Sequence, residues 1–203
     1  MMQGTVNLRV YDAPPVDRGE ILRYAGGRCT SPEIAALIDE CLAEISSLLT
    51  YRVSFAAFDI TLADDCLQLG FADCRSRDLA KNLAGCESIV AFAATVGLAP
   101  DRMVARYSAL SPTKALLMQA IGAERIEALC DLFCKDLAEE KSALGLRLRP
   151  RFSPGYGDLS LDLQKKIVTA LDAQRKIGLV LNESLLLSPT KSVTAIIGVT
   201  REK

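Results

Sequence analysis

The stretch that most restricts the fold is an apolar run, ESIVAFAATVG, at residues 87–97. A strand with one solvent-facing side alternates apolar and polar residues, whereas a strand covered on both faces stays apolar throughout. This run has the length of a strand and ends in a glycine. We therefore expect it to be the central strand of a sheet that is packed on both sides.

Other strands and helices can be placed around this run. Strands are predicted by an alternating pattern at 4–10, by a β-branched and aromatic run at 51–60 with a possible hairpin through 63–65, and by the apolar segment 192–199. Helices are predicted before Gly26 and Gly27, over 31–49 behind Ser31 and Pro32, after Ser76, over 101–110, and over 161–177 behind Ser160. The longest periodic stretch runs from Pro112 to about Leu144 and is interrupted only by Gly122. It predicts either one long helix or two helices in sequence.

The size and composition of the chain favour one compact unit. Of the 203 residues, 50% are hydrophobic, and no Pro-, Ser- or Gly-rich linker divides the sequence. We therefore predict a single α+β domain over residues 1–203.

The charge balance argues against two classes of partner. Lys and Arg number 24 against 25 Asp and Glu, a formal net charge of -1, so no basic field attracts nucleic acid or an anionic membrane. No stretch reaches the roughly 18 apolar residues of a spanning helix, and the first residues do not resemble an export signal. We expect a cytoplasmic protein.

Cysteine and histidine usage limits the chemistry further. The seven cysteines are scattered and include no CxxC pair, which predicts reduced and mostly buried thiols; Cys130 and Cys134 share a helix face but make only half a zinc site. The chain has no histidine. This excludes Ser-His and Cys-His catalysis, histidine-containing zinc sites and histidine ligation of a corrinoid cobalt.

The segment RFSPGYGD, at 151–158, combines features suited to a small zwitterionic ligand with an aromatic ring. Arg151 offers a planar fork of donors for a carboxylate, the Pro154-Gly155 turn is expected to be free of ladder pairing, and Tyr156 has a flat face with a polar tip. A plain surface loop is the alternative, and Asp158 is interpreted as a turn or helix-entry residue.

Three further features are weaker. The strand end ATVG, at 94–97, is compatible with the close approach of a ligand, although glycine often ends strands. Glu124, Glu127 and Asp131 are typical of a solvated helix face. Lys191 could serve an anionic ligand or could only precede the last strand.

The order of these pieces resembles a known family. Arg151-x-x-x-Gly155-Tyr156, a helix, Ile177-Gly178, Glu183-Ser184 and a Pro-containing approach to the last strand resemble the S-adenosylmethionine-binding activation domain of vitamin B12 (cobalamin)-dependent methionine synthase, whose signature is RxxxGY. The segment EALCD at 127–131 resembles the family's helix that carries an acidic residue near the ligand. The resemblance covers 78–199, whereas 1–75 resembles only small free-standing relatives.

The resemblance implies a fold and a set of ligand contacts. The fold would be a single α+β domain with a curved, mainly antiparallel sheet, several helices and a groove for S-adenosylmethionine. Arg151 would hold the methionine carboxylate, and Tyr156 would line the groove. The backbone from Phe152 through Ser153 and Pro154 to Gly155 would contact the ligand, and Glu127 would be a neighbour of the sulfonium.

The resemblance also implies a role in methionine biosynthesis. In the family, cob(II)alamin receives an electron from a reduced flavoprotein of the flavodoxin type, and S-adenosylmethionine supplies the methyl group that restores methylcobalamin. A chain of 203 residues has no room for the cobalamin module. It would therefore act in trans, as an accessory subunit on a separate methionine synthase or corrinoid protein.

Two departures from the family pattern keep alternatives open. The chain ends at Lys203, shortly after the last strand, whereas the long enzyme of the family continues. The family's N-terminal acidic ligand residue has only Asp12 and Asp17 as candidates in this sequence. A scaffold for a corrinoid protein that has lost nucleoside binding is therefore the second hypothesis. An ordinary S-adenosylmethionine-dependent methyltransferase ranks last, because no GxGxG follows the first strand.

Overall fold

The computed structural model describes residues 4–27, 31–63 and 66–201. In chain order the described elements are β1 (Asn7–Tyr11), α1 (Arg18–Tyr24), α2 (Pro32–Ile45) with a 3-10 turn (Ser46–Leu48), β2 (Tyr51–Asp59), β3 (Thr61–Ala63), β4 (Cys66–Gln68), β5 (Asp73–Cys74), α3 (Arg77–Asn82), β6 (Ser88–Thr95), α4 (Ala99–Leu110), α5 (Pro112–Ser142), β7 (Leu146–Leu148), α6 (Leu163–Ala170), α7 (Ala173–Ile177), β8 (Val180–Leu181), β9 (Leu187–Ser188) and β10 (Ser192–Arg201). Cys29 and the hairpin turn predicted at 64–65 lie outside the described residues.

A curled antiparallel sheet organises the chain. Its strands follow the order β1-β2-β6-β10-β7, and every neighbouring pair is antiparallel. The sheet forms a half-barrel, with two small sheets, β3-β4-β5 and β8-β9, beside it. The predicted α+β class and curved antiparallel sheet are confirmed.

The central apolar run is strand β6, and it is buried on both faces as predicted. Because side chains alternate along a strand, Ile89 and Ala91 pack in the layer that contains α6 and α7. Val90 and Phe92 pack on the opposite face, in the layer that contains α5. The strand therefore joins two hydrophobic cores.

A third core lies away from the sheet. The first turns of α5 pack with α1, α2 and α4 around buried residues that include Ile21, Ile38, Met103 and Ile121. Helix α5 therefore belongs to the helical layer at its N-terminal end and to the sheet layer further along.

The long periodic stretch is one helix of 31 residues, so the alternative of two helices is wrong. Gly122 lies within the helix without interrupting it. A glycine is needed at this position because neighbouring side chains pack closely against it. A Cβ at this position would stand 2.8 Å from Lys191 Cγ and 2.9 Å from Pro100 Cβ. The glycine lets the start of α4 and the Lys191 side chain lie against α5.

Local caps explain most of the helix starts. Ser31 Oγ accepts from the N–H of Ile34, and Ser76 Oγ accepts from the N–H of Leu79, both as predicted. The predicted cap Ser160 is wrong: α6 begins at Leu163 behind Asp162, and Ser160 Oγ instead accepts from the N–H of Asp162. The region is also divided, since a turn at Leu171 and Asp172 separates α6 from α7.

The described cysteines are free thiols; Cys41, Cys86 and Cys130 are buried, and Cys66, Cys74 and Cys134 are partly buried. Among the described helices, none combines the length and apolarity needed to cross a membrane.

Candidate functional site

Arg151 lies just after β7, where the chain leaves the edge of the sheet. Side chains alternate at this edge, so Arg151 is directed to the face covered by α5, and Phe152 packs on the opposite face with Ile196. The N–H of Phe152 donates to the carbonyl of Ile196 at 2.8 Å, and the N–H of Ile196 donates back at 2.9 Å. This pair of bonds fixes the start of the RFSPGYGD loop against β10.

The guanidinium of Arg151 is held between two carboxylates of α5. One terminal nitrogen donates to Glu127 Oε2 at 2.6 Å, and the other donates to Asp131 Oδ1 at 2.8 Å. The two acids are four residues apart and therefore share a helix face. Glu127, which the resemblance assigns to the neighbourhood of the sulfonium, is in direct contact with Arg151, and Asp131 forms a second ion pair rather than part of a purely solvated face.

The two ion pairs differ in exposure. The side chain of Arg151 is 27% exposed and that of Glu127 is 41% exposed, whereas that of Asp131 is 75% exposed. Burial works against the charge of Arg151, but the nearby carboxylates of Glu127 and Asp131 favour the charged form, and the pKa of the guanidinium is raised. The cation is permanent, and Asp131 is its most solvated partner.

Two thiols of α5, those of Cys130 and Cys134, lie close to Arg151. Cys130 is fully buried, and burial raises the pKa of its thiol, with Arg151 acting in the opposite direction. Burial likewise raises the pKa of Cys134, which lines a cavity of about 290 Å³ together with Asp131, Arg151 and Ile197. Both cysteines are therefore neutral packing residues at neutral pH.

The turn at Pro154 and Gly155 is free of ladder pairing, as predicted, but its N–H groups are not available. Gly155 has φ +87 and donates to the carbonyl of Leu159 at 2.9 Å, and Tyr156 donates to the carbonyl of Ser153 at 3.1 Å. Among the described residues, no partner is present for the N–H of Ser153 or for the carbonyls of Pro154 and Gly155. These three groups are therefore open to a ligand.

Tyr156 stands at the tip of the loop with its ring outward. It is 70% exposed, and its ring meets that of Phe152 edge to face, with centroids 5.4 Å apart. Phe152 is buried and fixed to β10, so it supports the orientation of the exposed ring. Tyr156 therefore presents an apolar face and a hydroxyl to solvent.

Asp158 has a role that the sequence did not indicate. Its carboxylate accepts from Ser76 Oγ, from the N–H of Arg77 at 2.8 Å and from the N–H of Asp78 at 3.2 Å. It therefore caps α3 from 80 residues further along the chain. The loop is anchored at one end on β10 and at the other on α3.

Thr194 lies on β10 two residues before Ile196 and is buried. Alternate residues of an antiparallel strand direct their N–H and C=O groups to opposite neighbours. Ile196 directs its groups to Phe152, so Thr194 directs its own groups to the same side. No backbone partner for Thr194 is described there, and its hydroxyl donates to Gln164 Oε1 at 3.2 Å.

The candidate acidic residue Asp17 has a local function. Its carboxylate accepts from the N–H groups of Gly19 and Glu20 and caps α1. Within the described residues, Asp12 makes no contact with the Arg151 loop.

Comparison with known proteins identifies the fold. No family model matches the chain, and no curated protein matches it. Among solved structures, the crystal structure of the MetH reactivation domain bound to AdoHcy matches with a TM-score of 0.72 at 15% sequence identity, covering 98% of this chain and 79% of that chain. The chain therefore has the fold of that reactivation domain, as the sequence resemblance implied.

Proposed function

We propose that this protein binds S-adenosylmethionine at the Arg151–Tyr156 loop and supports reductive methylation of cob(II)alamin on a separate corrinoid protein or methionine synthase. The observation that carries the proposal is the shared fold with a reactivation domain that holds AdoHcy. The charge pattern around Arg151 is the local feature that supports it.

The amino-acid end of the ligand carries a carboxylate and an ammonium group, and this site offers a partner for each. Asp131 is 75% exposed, and a solvated ion pair of this kind contributes only about 0–1 kcal/mol. A ligand carboxylate can therefore replace Asp131 on the Arg151 fork. Glu127, on the other side of the fork, then lies close to the positive groups of the ligand.

The rest of the loop suits the nucleoside. The exposed ring of Tyr156 can stack on a flat base, the carbonyls of Pro154 and Gly155 can accept from an exocyclic amine, and the N–H of Ser153 can donate. When bound, S-adenosylmethionine supplies the methyl group from its own sulfonium. The residues of the chain bind and orient it, so the absence of histidine from the sequence does not impede this role.

The remaining components belong to partners. The chain has no histidine to provide an axial imidazole, so the corrinoid is expected to be carried by another protein. We propose a flavodoxin-type protein as the electron donor. The chain is then an accessory subunit of methionine biosynthesis in the cytoplasm rather than an enzyme that acts alone.

Calorimetry with S-adenosylmethionine tests the ligand. We expect the intact protein to bind it and Arg151→Ala to bind it about 10- to 150-fold more weakly, because a hydrogen bond to a charged group contributes about 1.5–3 kcal/mol. Arg175→Ala is the matched control, since it removes an exposed arginine that is paired with Asp172 on α7. The absence of binding by the intact protein at millimolar ligand would refute the ligand assignment.

The transfer step needs a reconstituted system. A cob(II)alamin-loaded methionine synthase without its own activation domain would be mixed with this protein, reduced flavodoxin and S-adenosylmethionine, and methylcobalamin would be followed by absorbance. We expect methylcobalamin only when all components are present. Equal formation without this protein would contradict a role in trans.

A second function is favoured by one observation. The Arg151 fork is already satisfied by Glu127 and Asp131, and such an arrangement can be purely structural. The protein would then be a scaffold for a corrinoid protein. Capture of a purified corrinoid protein that is indifferent to both S-adenosylmethionine and Arg151→Ala would support the scaffold, whereas ligand-dependent capture would support the first function.

A further inference from the structure

A cavity of about 830 Å³ lies on the face of the sheet opposite to Arg151. It is bounded by α6, by the turn between β4 and β5 and by the residues that lead into β1. Phe58 of β2 lines it and belongs to the core that contains α6 and α7, whereas Arg151 contacts α5 on the other face. The volume lies within the roughly 300–1,000 Å³ that is usual for small-molecule sites.

Two aromatic rings form one wall of this cavity. The rings of Phe58 and Phe71 have centroids 5.0 Å apart and are inclined by 60° to each other. Phe58 is buried, whereas Phe71 is only half-buried and presents ring surface to the cavity. The turn before Phe71 depends on Gly70, which has φ +77 and whose Cβ would stand 3.0 Å from Phe58 Cβ. This close approach holds Phe71 against Phe58.

Helix α6 forms the other wall and contributes two lysines. Lys165, Lys166, Thr169 and Ala170 line the cavity together, because residues four apart share one face of a helix. The Thr169 hydroxyl donates to the carbonyl of Lys165 at 2.8 Å, so its oxygen can still accept from a ligand. The wall opposite the rings is therefore polar and cationic.

The lining does not neutralise the charge of these lysines. Among the described residues that line the cavity, none is acidic. Lys166 forms no ion pair within 4–27, 31–63 and 66–201. Lys165 Nζ lies 3.5 Å from Asp162 Oδ1, and the two side chains are 58% and 71% exposed. A solvated pair of this kind is weak, so the acid group of a ligand can replace Asp162.

We propose that this cavity binds a small organic anion in which a flat aromatic ring carries a carboxylate or a phosphate. The ring packs against Phe71, and the acid group lies at the ammonium groups of Lys165 and Lys166. Carboxylate and phosphate present the same negative oxygens to a lysine, whose ammonium acts as a point charge. The site does not depend on the proposed function, because it uses none of the residues of the Arg151 loop.

The test is a titration of the ¹⁵N-labelled full chain with 2-naphthoate and with 2-naphthyl phosphate, followed by amide resonances at constant ionic strength. We expect saturable shifts at Phe71 and around Lys165 and Lys166. The double variant Lys165→Met with Lys166→Met should bind about 5- to 25-fold more weakly, because each solvated ion pair contributes up to about 5-fold. Lys81→Met with Lys135→Met is the matched control, since it removes two exposed lysines that do not line the cavity.

Two further probes separate the ring from the charge. The neutral alcohol 2-naphthalenemethanol keeps the ring, and acetate keeps the charge; we expect both to bind more weakly than 2-naphthoate. Tighter binding of 2-naphthyl phosphate supports a phosphate ligand, and tighter binding of 2-naphthoate supports a carboxylate ligand.

Three results would overturn the proposal. They are the absence of saturable shifts with both anions, equal affinity in the double lysine variant, and shifts confined to residues 151–156. The double lysine variant should still bind S-adenosylmethionine in calorimetry, so failure of this proposal can be told apart from failure of the proposed function.

Discussion

Asp158 is a single residue that connects the candidate ligand loop to another part of the chain. The hydrogen bond from Ser76, followed by that from the N–H of Arg77, lowers the pKa of its carboxyl. A carboxyl with a lowered pKa stabilises the folded state at pH values above its unfolded pKa, and this contribution is lost as the pH falls through the folded pKa. The stabilising effect should therefore be complete at neutral pH and absent in strong acid.

We expect Asp158→Ala to lower the melting temperature at neutral pH, because α3 loses a cap and the loop loses an anchor. Thermal unfolding curves of the variant and the unmodified protein should converge as the pH falls below the ordinary range of aspartate. Asp162→Ala, an exposed acid near the same loop, serves as the control. A difference that stayed constant with pH would contradict the role of the carboxylate.

Arg125 and Glu124 form a buried ion pair in the helical layer. Arg125 is 2% exposed and Glu124 is 3% exposed. Arg125 also donates to the carbonyls of Pro14 and Pro15, and Glu124 accepts from the N–H of Asp17 at 3.0 Å. The pair therefore attaches the segment before α1 to α5.

Glu124→Ala should reduce the free energy of unfolding by about 3–5 kcal/mol, because it leaves a buried charge without its partner. Urea denaturation measures this change. The double variant Glu124→Leu with Arg125→Met should be less destabilised than Glu124→Ala, since no charge then remains buried. A Glu124→Ala variant with unchanged stability would show that water reaches Arg125.

At the scale of elements, the contact between α5 and α4 can be tested at Gly122. Alanine is favoured over glycine by about 1 kcal/mol in a helix, so an isolated α5 would gain from Gly122→Ala. Here the added methyl group would overlap Lys191 and Pro100, and overpacking of this kind costs about 1–3 kcal/mol. We expect a net loss of stability in urea denaturation.

Combining Gly122→Ala with Lys191→Ala should recover part of the loss, because the second change removes one of the two overlapping side chains. The coupling between the two variants in a double-mutant cycle measures this contact directly. Additive changes in the free energy of unfolding would show that the Lys191 side chain does not contact position 122.

The elements that a sequence can predict are those whose own pattern determines them. Strand β6 was predictable because its apolar run requires cover on both faces, and the caps Ser31 and Ser76 act within three residues of their own helices. The start of α6 was not predictable, because Ser160 Oγ accepts from the N–H of Asp162 instead of capping the helix. Contacts over long separations carry no local signal of this kind.

The candidate site shows the same limit. Arg151 was identified by its residue type and its turn, but its pairing with Asp131 depends on the packing of β7 against α5. On the helix alone, Asp131 has the pattern of a solvated residue. Asp158 caps a helix that precedes it by 80 residues, a distance at which only the tertiary fold brings the groups together.

At the scale of the whole molecule, α5 belongs to two of the three cores. Loss of this helix would expose the sheet layer and the helical layer together, so we expect one cooperative transition. Far-UV circular dichroism and tyrosine fluorescence should give the same denaturation midpoint; the chain has no tryptophan, and Tyr51 and Tyr107 report on the two layers. Two separate midpoints would show that the layers unfold independently, and the prediction of a single domain would be wrong.

The pairing of one arginine with two acids on α5 has a consequence for selectivity. Arg151, Glu127 and Asp131 together carry a net charge of −1, because one guanidinium faces two carboxylates. The proposed methyl donor has a surplus of one positive charge, which disappears when its sulfonium becomes a thioether. We therefore expect this site to hold the donor more tightly than the spent product, so that methyl transfer itself promotes product release and readies the protein for another round.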